Sequence, residues 1–124
     1  MAQEVQTAYK DLQVWQKSMS LATNIINLTE NLETNRKHYR LIEQLEASVT
    51  SIPMNIAEGK GRESKKEYIR FLYIARGSVY EMLTLLDIFL RLGWIPKNVF
   101  SEYEQEAIEI IRMLKGLINA IARS

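Results

Sequence analysis

The chain has 124 residues, 47% of them hydrophobic and 25% charged, with sixteen Lys and Arg against fifteen Asp and Glu for a net charge of +1. That length fits one domain over residues 1–124, and the near-neutral balance excludes the strongly basic and strongly acidic classes. Cysteine is absent, which excludes disulfides, thiolate catalysis and thiolate metal sites and suits a reducing cytoplasm.

The opening MAQEVQTAYKDLQ has no apolar core like that of a signal peptide. The most apolar run, Met82 to Leu92, is broken by Thr84, Asp87 and Arg91 and is far short of the ~20 residues a membrane span needs. A cytoplasmic protein with no membrane partner is expected. Apolar residues recur at intervals of three and four, which predicts an all-α fold. The first helix covers about 11–30, with Asp11 as its N-cap and Leu12, Trp15, Met19, Ala22, Ile26 and Thr29 as its core stripe. A polar loop from Glu30 to His38 follows.

The second helix covers about 39–58, with Leu41, Leu45, Val49, Ile52 and Ile56 facing in. Pro53 lies inside it, removes the amide that would bond to the Val49 carbonyl, and predicts a kink. Asn55 and Glu58 are read as structural, bonding amides or Arg62 across the turn that follows. Gly59 is predicted to end the helix at positive φ, and Gly61 extends the turn. Ser64 and Glu67 then match a capping box, each side chain bonding the other's amide.

The third helix covers about 65–91, with Tyr68, Phe71, Leu72, Ala75, Val79, Met82, Leu86 and Phe89 facing in and Gly93 as its stop. Gly77, in mid-helix, should cost about 1 kcal/mol against Ala, so close approach by another helix is expected there. The fourth covers about 97–122, with Phe100, Tyr103, Ala107, Ile111, Leu114, Ile118 and Ile121 facing in. Short connections between long amphipathic helices predict an up-down-up-down antiparallel four-helix bundle.

The last two helices carry more apolar surface than one bundle stripe uses. Leu85, Ile88 and Leu92 on the third, and Ile110, Met113 and Leu117 on the fourth, are the candidate contacts for assembly with further copies.

No catalytic or metal site is legible, and no cofactor is called for. His38 is the only histidine, and Glu102, Glu104, Glu106 and Glu109 lack the Glu-x-x-His partners that di-metal bundles use. Charge is unevenly placed, however. Lys60, Arg62, Lys65, Lys66 and Arg70 cluster at the Gly-x-Gly turn and the start of the third helix. They are the candidate contacts for nucleic acid, RNA or DNA, bound without sequence readout. The competing reading is a solvated basic patch partly paired with Glu63 and Glu67.

Ser51-Ile52-Pro53-Met54-Asn55-Ile56-Ala57-Glu58-Gly59, with Arg62-Glu63-Ser64-Lys65-Lys66-Glu67-Tyr68-Ile69-Arg70-Phe71-Leu72 and on to Ser78, resembles the bacterial 23S rRNA intervening-sequence protein family. Lys10-Asp11-Leu12-Gln13-Val14-Trp15 and Leu92-Gly93-Trp94-Ile95 are similar to that family as well. The resemblance implies a four-helix bundle that assembles as a homopentamer, has no established enzymatic activity, and in a related bundle binds nucleic acid and a reverse transcriptase. It departs from the family at Glu46 and Ala47, where members often carry a basic pair. A non-enzymatic homo-oligomeric scaffold that binds RNA or a nucleic-acid-processing protein is therefore expected. The alternative is a protein-binding adaptor with no nucleic-acid role.

Overall fold

The computed structural model describes residues 7–32 and 38–124. A 3-10 turn at Ala8–Asp11 leads into four helices, α1 (Gln13–Glu30), α2 (Tyr39–Lys60), α3 (Lys65–Arg91) and α4 (Lys97–Arg123). Packing runs α1 on α2, α2 on α3, α3 on α4 and α4 back on α1, the closed up-down-up-down bundle that the periodicity predicts. Part of the expected first loop, 33–37, lies outside the described residues.

Helix ends follow local chemistry. The Ser64 hydroxyl caps α3 by accepting from the Glu67 amide at 3.1 Å. The reciprocal half of the capping box is replaced, because the Glu67 carboxylate pairs with Arg70 at 3.0 Å. At the other end of α3, Gly93 takes φ 78°. The Trp94 amide donates to the Phe89 carbonyl and the Gly93 amide to that of Leu90, while the Trp94 ring packs 4.8 Å from Phe89. These bonds and the apolar contact make a Schellman stop. His38 also packs against Trp94, with ring centres 4.8 Å apart, and at the opposite end of the bundle Tyr9 meets Trp15 edge-on at 5.2 Å.

Three glycine and cap expectations are corrected. Asp11 belongs to the 3-10 turn, and Leu12 precedes α1 without a side-chain cap. α2 runs through Pro53 and past Gly59 to Lys60, with Gly61 following at φ −80°. Gly59 is needed for space instead: a Cβ there would stand 2.8 Å from the Phe71 Cβ and 3.2 Å from Tyr68, so its absence lets α2 and α3 close together. Gly77 has no such neighbour, since a Cβ would meet nothing within 4 Å.

The core is built from Leu45, Val49, Ile52 and Ile56 of α2, the Leu72–Phe89 stripe of α3, and Ala107, Ile110, Leu114 and Ile118 of α4. In α1 the buried residues are Val14, Ser18, Leu21, Ala22, Ile25 and Thr29. Ala22 and Thr29 are buried as expected, but the rest of the line is rotated from the expected stripe, and Met19 is exposed. Buried hydroxyls are satisfied locally or across a seam. Ser18 donates to the Trp15 carbonyl, Thr29 to the Glu46 carboxylate at 2.6 Å, and Ser51 meets Ser78 at 2.8 Å between α2 and α3. Among the described residues no helix is long and apolar enough to cross a membrane.

Candidate functional site

The turn from α2 to α3 brings Lys60, Arg62, Lys65, Lys66 and Arg70 to one end of the bundle, and all five are exposed. They do not form one free cluster. Arg62 is bonded to Glu58 at 2.6 Å, which realises the expected link across the turn. The hydrogen bond from Arg70 holds the Glu67 carboxyl below its ordinary range, and Glu67 raises Arg70 in turn. The two guanidinium groups also stack on the Phe71 ring, at 4.8 Å and 4.6 Å from its centre. Lys60 stands over Tyr68, whose phenol burial pushes up. Lys60, Lys65 and Lys66 make no ion pair among the described residues.

The remaining structural residues fall into place around the turn. Asn55 donates to both the carbonyl and the hydroxyl of Ser51, joining the Ser51–Ser78 contact. Glu46, which departs from the resembled family's basic pair, is committed to Thr29. Helix dipoles contribute little net field at this end. The N-termini of α1 and α3 lie beside the C-termini of α2 and α4, and their partial charges offset.

The antiparallel return adds cations that sequence order had separated. α4 ends beside the start of α3, so Arg112, Lys115 and Arg123, all exposed, join the same half of the molecule as Lys60–Arg70. Acid is in excess in the other half, where Glu30, Glu43, Glu46, Glu81, Glu102 and Glu104 outnumber Arg40 and Lys97, and Asp87 is paired with Arg91 at 3.1 Å. A chain of net charge +1 thus folds, among the described residues, with basic groups in excess in one half and acidic groups in the other. Sequence reading found the acidic and basic runs but missed the three α4 cations, whose grouping depends on tertiary return.

Glu106 sits between the two halves. Its carboxyl is pushed up by burial and by Glu102, against the opposing pull of Lys17. Among the described residues no group of three or more His, Asp or Glu side chains could hold a metal ion.

The candidate assembly residues divide. Leu85 and Ile110 are 7% and 1% exposed, so they belong to the chain's own core and are corrected as outward contacts. Both continue the stripes that face α2 and α1. Ile88 and Leu92 are exposed at 37% and 53%, and Met113 and Leu117 are half-buried. Ile74, Ser78, Glu81, Leu85, Ile88 and Leu92 follow one line of α3 at steps of four and three, and Ser78 on that line touches α2. Met113 and Leu117 continue the line of Glu106 and Glu109 on α4, where Glu109 bonds Lys17 of α1 at 2.6 Å.

A family model described as 23S rRNA-intervening sequence protein matches residues 10–116. Among solved structures, the chain is similar to a protein of unknown function from the S23 ribosomal protein family of Bacteroides thetaiotaomicron VPI-5482. The two are 28% identical with a TM-score of 0.79, over 85% of this chain and 97% of that one. No curated protein matches.

Proposed function

The chain belongs to the 23S rRNA-intervening sequence protein family, and from that premise we propose that it is a non-enzymatic, homo-oligomeric scaffold whose basic end holds RNA or a ribonucleoprotein partner. The observation that carries this reading is the separation of charge along the bundle, with Lys60, Lys65, Lys66, Lys115 and Arg123 gathered at one end. A single exposed cation contributes little in salt, but repeated copies of the end would multiply weak phosphate contacts.

Assembly is supported by apolar side chains on two opposite faces. Ile88 and Leu92 lie at the α2–α3 face, Met113 and Leu117 at the α4–α1 face. A patch on one face meeting a different patch on the next copy is a heterologous contact, which closes as a ring when the rotation allows. Five copies is the number that family resemblance suggests.

The adaptor reading has its own support. Arg62 and Arg70 are already engaged by Glu58, Glu67 and Phe71, which lowers the positive potential left for phosphates. Light scattering and an RNA titration at two salt concentrations test both parts. The expected result is a mass several times the 14.4 kDa of one chain and binding that weakens steeply between ~50 and ~200 mM salt. A monomeric mass at micromolar concentration overturns the assembly. Absence of binding at ~50 mM salt removes the nucleic-acid role and leaves the adaptor.

A further inference from the structure

Two exposed tyrosines lie outside every contact described so far. Tyr73 and Tyr80 are 46% and 53% exposed, although large aromatic rings normally find cover. They fall on one line of α3 with Lys66, Ile69, Arg76 and Leu83, at steps of three and four. The buried stripe Leu72–Val79–Leu86 separates this line from the Ser78 line that touches α2, so it borders α4, the other helix packed on α3. Across the antiparallel hairpin, equal lengths of α3 and α4 bring Tyr73 and Arg76 level with Arg112 and Lys115, and Tyr80 level with Ile108. The face therefore alternates rings and cations, and it is distinct from the two apolar faces assigned to assembly.

Ring geometry sharpens the assignment. The Arg76 guanidinium lies 4.7 Å from the centre of the Tyr73 ring. With Arg76 against the ring, the 46% exposure of Tyr73 still gives a second planar group access to it. Tyr80 is seven residues on, about 10.5 Å along the helix. Resting on the polyanion reading above, we propose that the α3–α4 face is a platform for single-stranded nucleic acid, with bases stacked on Tyr73 and Tyr80 and phosphates held by Lys66, Arg76, Arg112 and Lys115. Base stacking on aromatic rings is sequence-tolerant, because every base has a π face. In a duplex those faces are already stacked on one another, so rings on a flat helix surface cannot reach them without unstacking the helix. A protein that used only its cations would bind duplex and single strand alike.

Fluorescence anisotropy with an oligouridine of about 15 nucleotides, and with the same strand annealed to oligoadenosine, tests the platform. The variants Tyr73→Ala and Tyr80→Ala remove exposed rings only, and thermal melting checks that both remain folded. Each is expected to weaken binding of the single strand about tenfold and to leave duplex binding unchanged, while Tyr73→Phe retains wild-type affinity. Lys65→Glu, Lys66→Glu is expected to weaken both ligands. If that charge reversal weakens binding but the Ala variants do not, or if they weaken duplex and single strand equally, the platform is overturned while the polyanion reading stands. If the wild-type protein binds neither ligand at ~50 mM salt, both readings fall together.

Discussion

The α2–α3 seam and the α4–α1 seam are built on different principles. At the first, Gly59 lets the backbone of α2 approach Phe71 and Tyr68, Ser51 and Ser78 exchange a hydrogen bond, and the two helices pack together more extensively than any other pair. At the second, Gln13, Gln16, Lys17, Ser20, Glu106 and Ile110 line an open groove of about 450 Å3. Side chains bridge it at its exposed edge, Lys17 to Glu109 at 2.6 Å and the Tyr103 hydroxyl donating to the Asn24 carbonyl at 3.4 Å. Helices consecutive in sequence are tied by dense apolar packing, whereas the seam that closes the bundle relies partly on polar groups with access to water. Local opening should therefore begin where α4 meets α1.

The largest expected effect comes from breaking the tighter seam. Gly59→Val inserts a branched side chain where even a Cβ is too close to Phe71. Overpacking of that kind should cost about 3 kcal/mol in a denaturant titration. Gly77→Ala serves as the opposite control. With open space around it and no special backbone angle, it should gain about 1 kcal/mol. A Gly59→Val protein as stable as wild type would mean that α2 and α3 are not closely apposed.

Pro53 comes next. We propose that it bends α2 so that Ile56 and Gly59 reach α3. Replacing an interior helical proline with alanine should by itself recover about 3 kcal/mol. If the bend is needed, Pro53→Ala loses most of that gain, and thermal melting that shows the full gain argues for a helix that needs no bend. Ser78→Ala, which deprives Ser51 of its cross-seam partner, should cost about 1 kcal/mol.

The smallest effects belong to the open seam. Glu106 has a carboxyl pushed up by burial first and by Glu102 and Glu109 next, with Lys17 opposing. A carboxyl raised in the folded state binds protons more readily there than in the unfolded chain. Its share of stability is therefore greatest at low pH and falls as pH rises from the ordinary glutamate range through the raised folded value. Glu106→Gln should raise the Tm slightly at neutral pH and flatten stability across that window, as read by melts at several pH values. Lys17→Ala removes an exposed pair and should change stability by less than about 1 kcal/mol.

Much of the fold was legible because its punctuation is local. The bounds of α3 follow from Ser64 and Gly93, each of which acts within a single turn. α2 was read two residues short, since a glycine near a helix end can serve either as a terminator or as a gap for a neighbour, and only the position of Phe71 distinguishes them. The expected α1 stripe meets the buried line only at Ala22 and Thr29, because Ser18 interrupts the true apolar line. Its hydroxyl is buried at no cost to the pattern because it bonds back to Trp15. At the candidate site the five cations of the turn could be read from sequence, but the stacking of two of them on Phe71 could not. The addition of Arg112, Lys115 and Arg123 likewise depended on a helix returning from far along the chain.

The two tryptophans occupy opposite ends of the molecule, Trp15 beside Tyr9 near the basic turn and Trp94 in contact with Phe89 and His38 at the other end. Each indole is in contact with a different partner. The bundle thus carries a separate fluorescent reporter at each pole. Single Trp→Phe variants would leave one emitter apiece and allow fraying at the two ends to be timed independently.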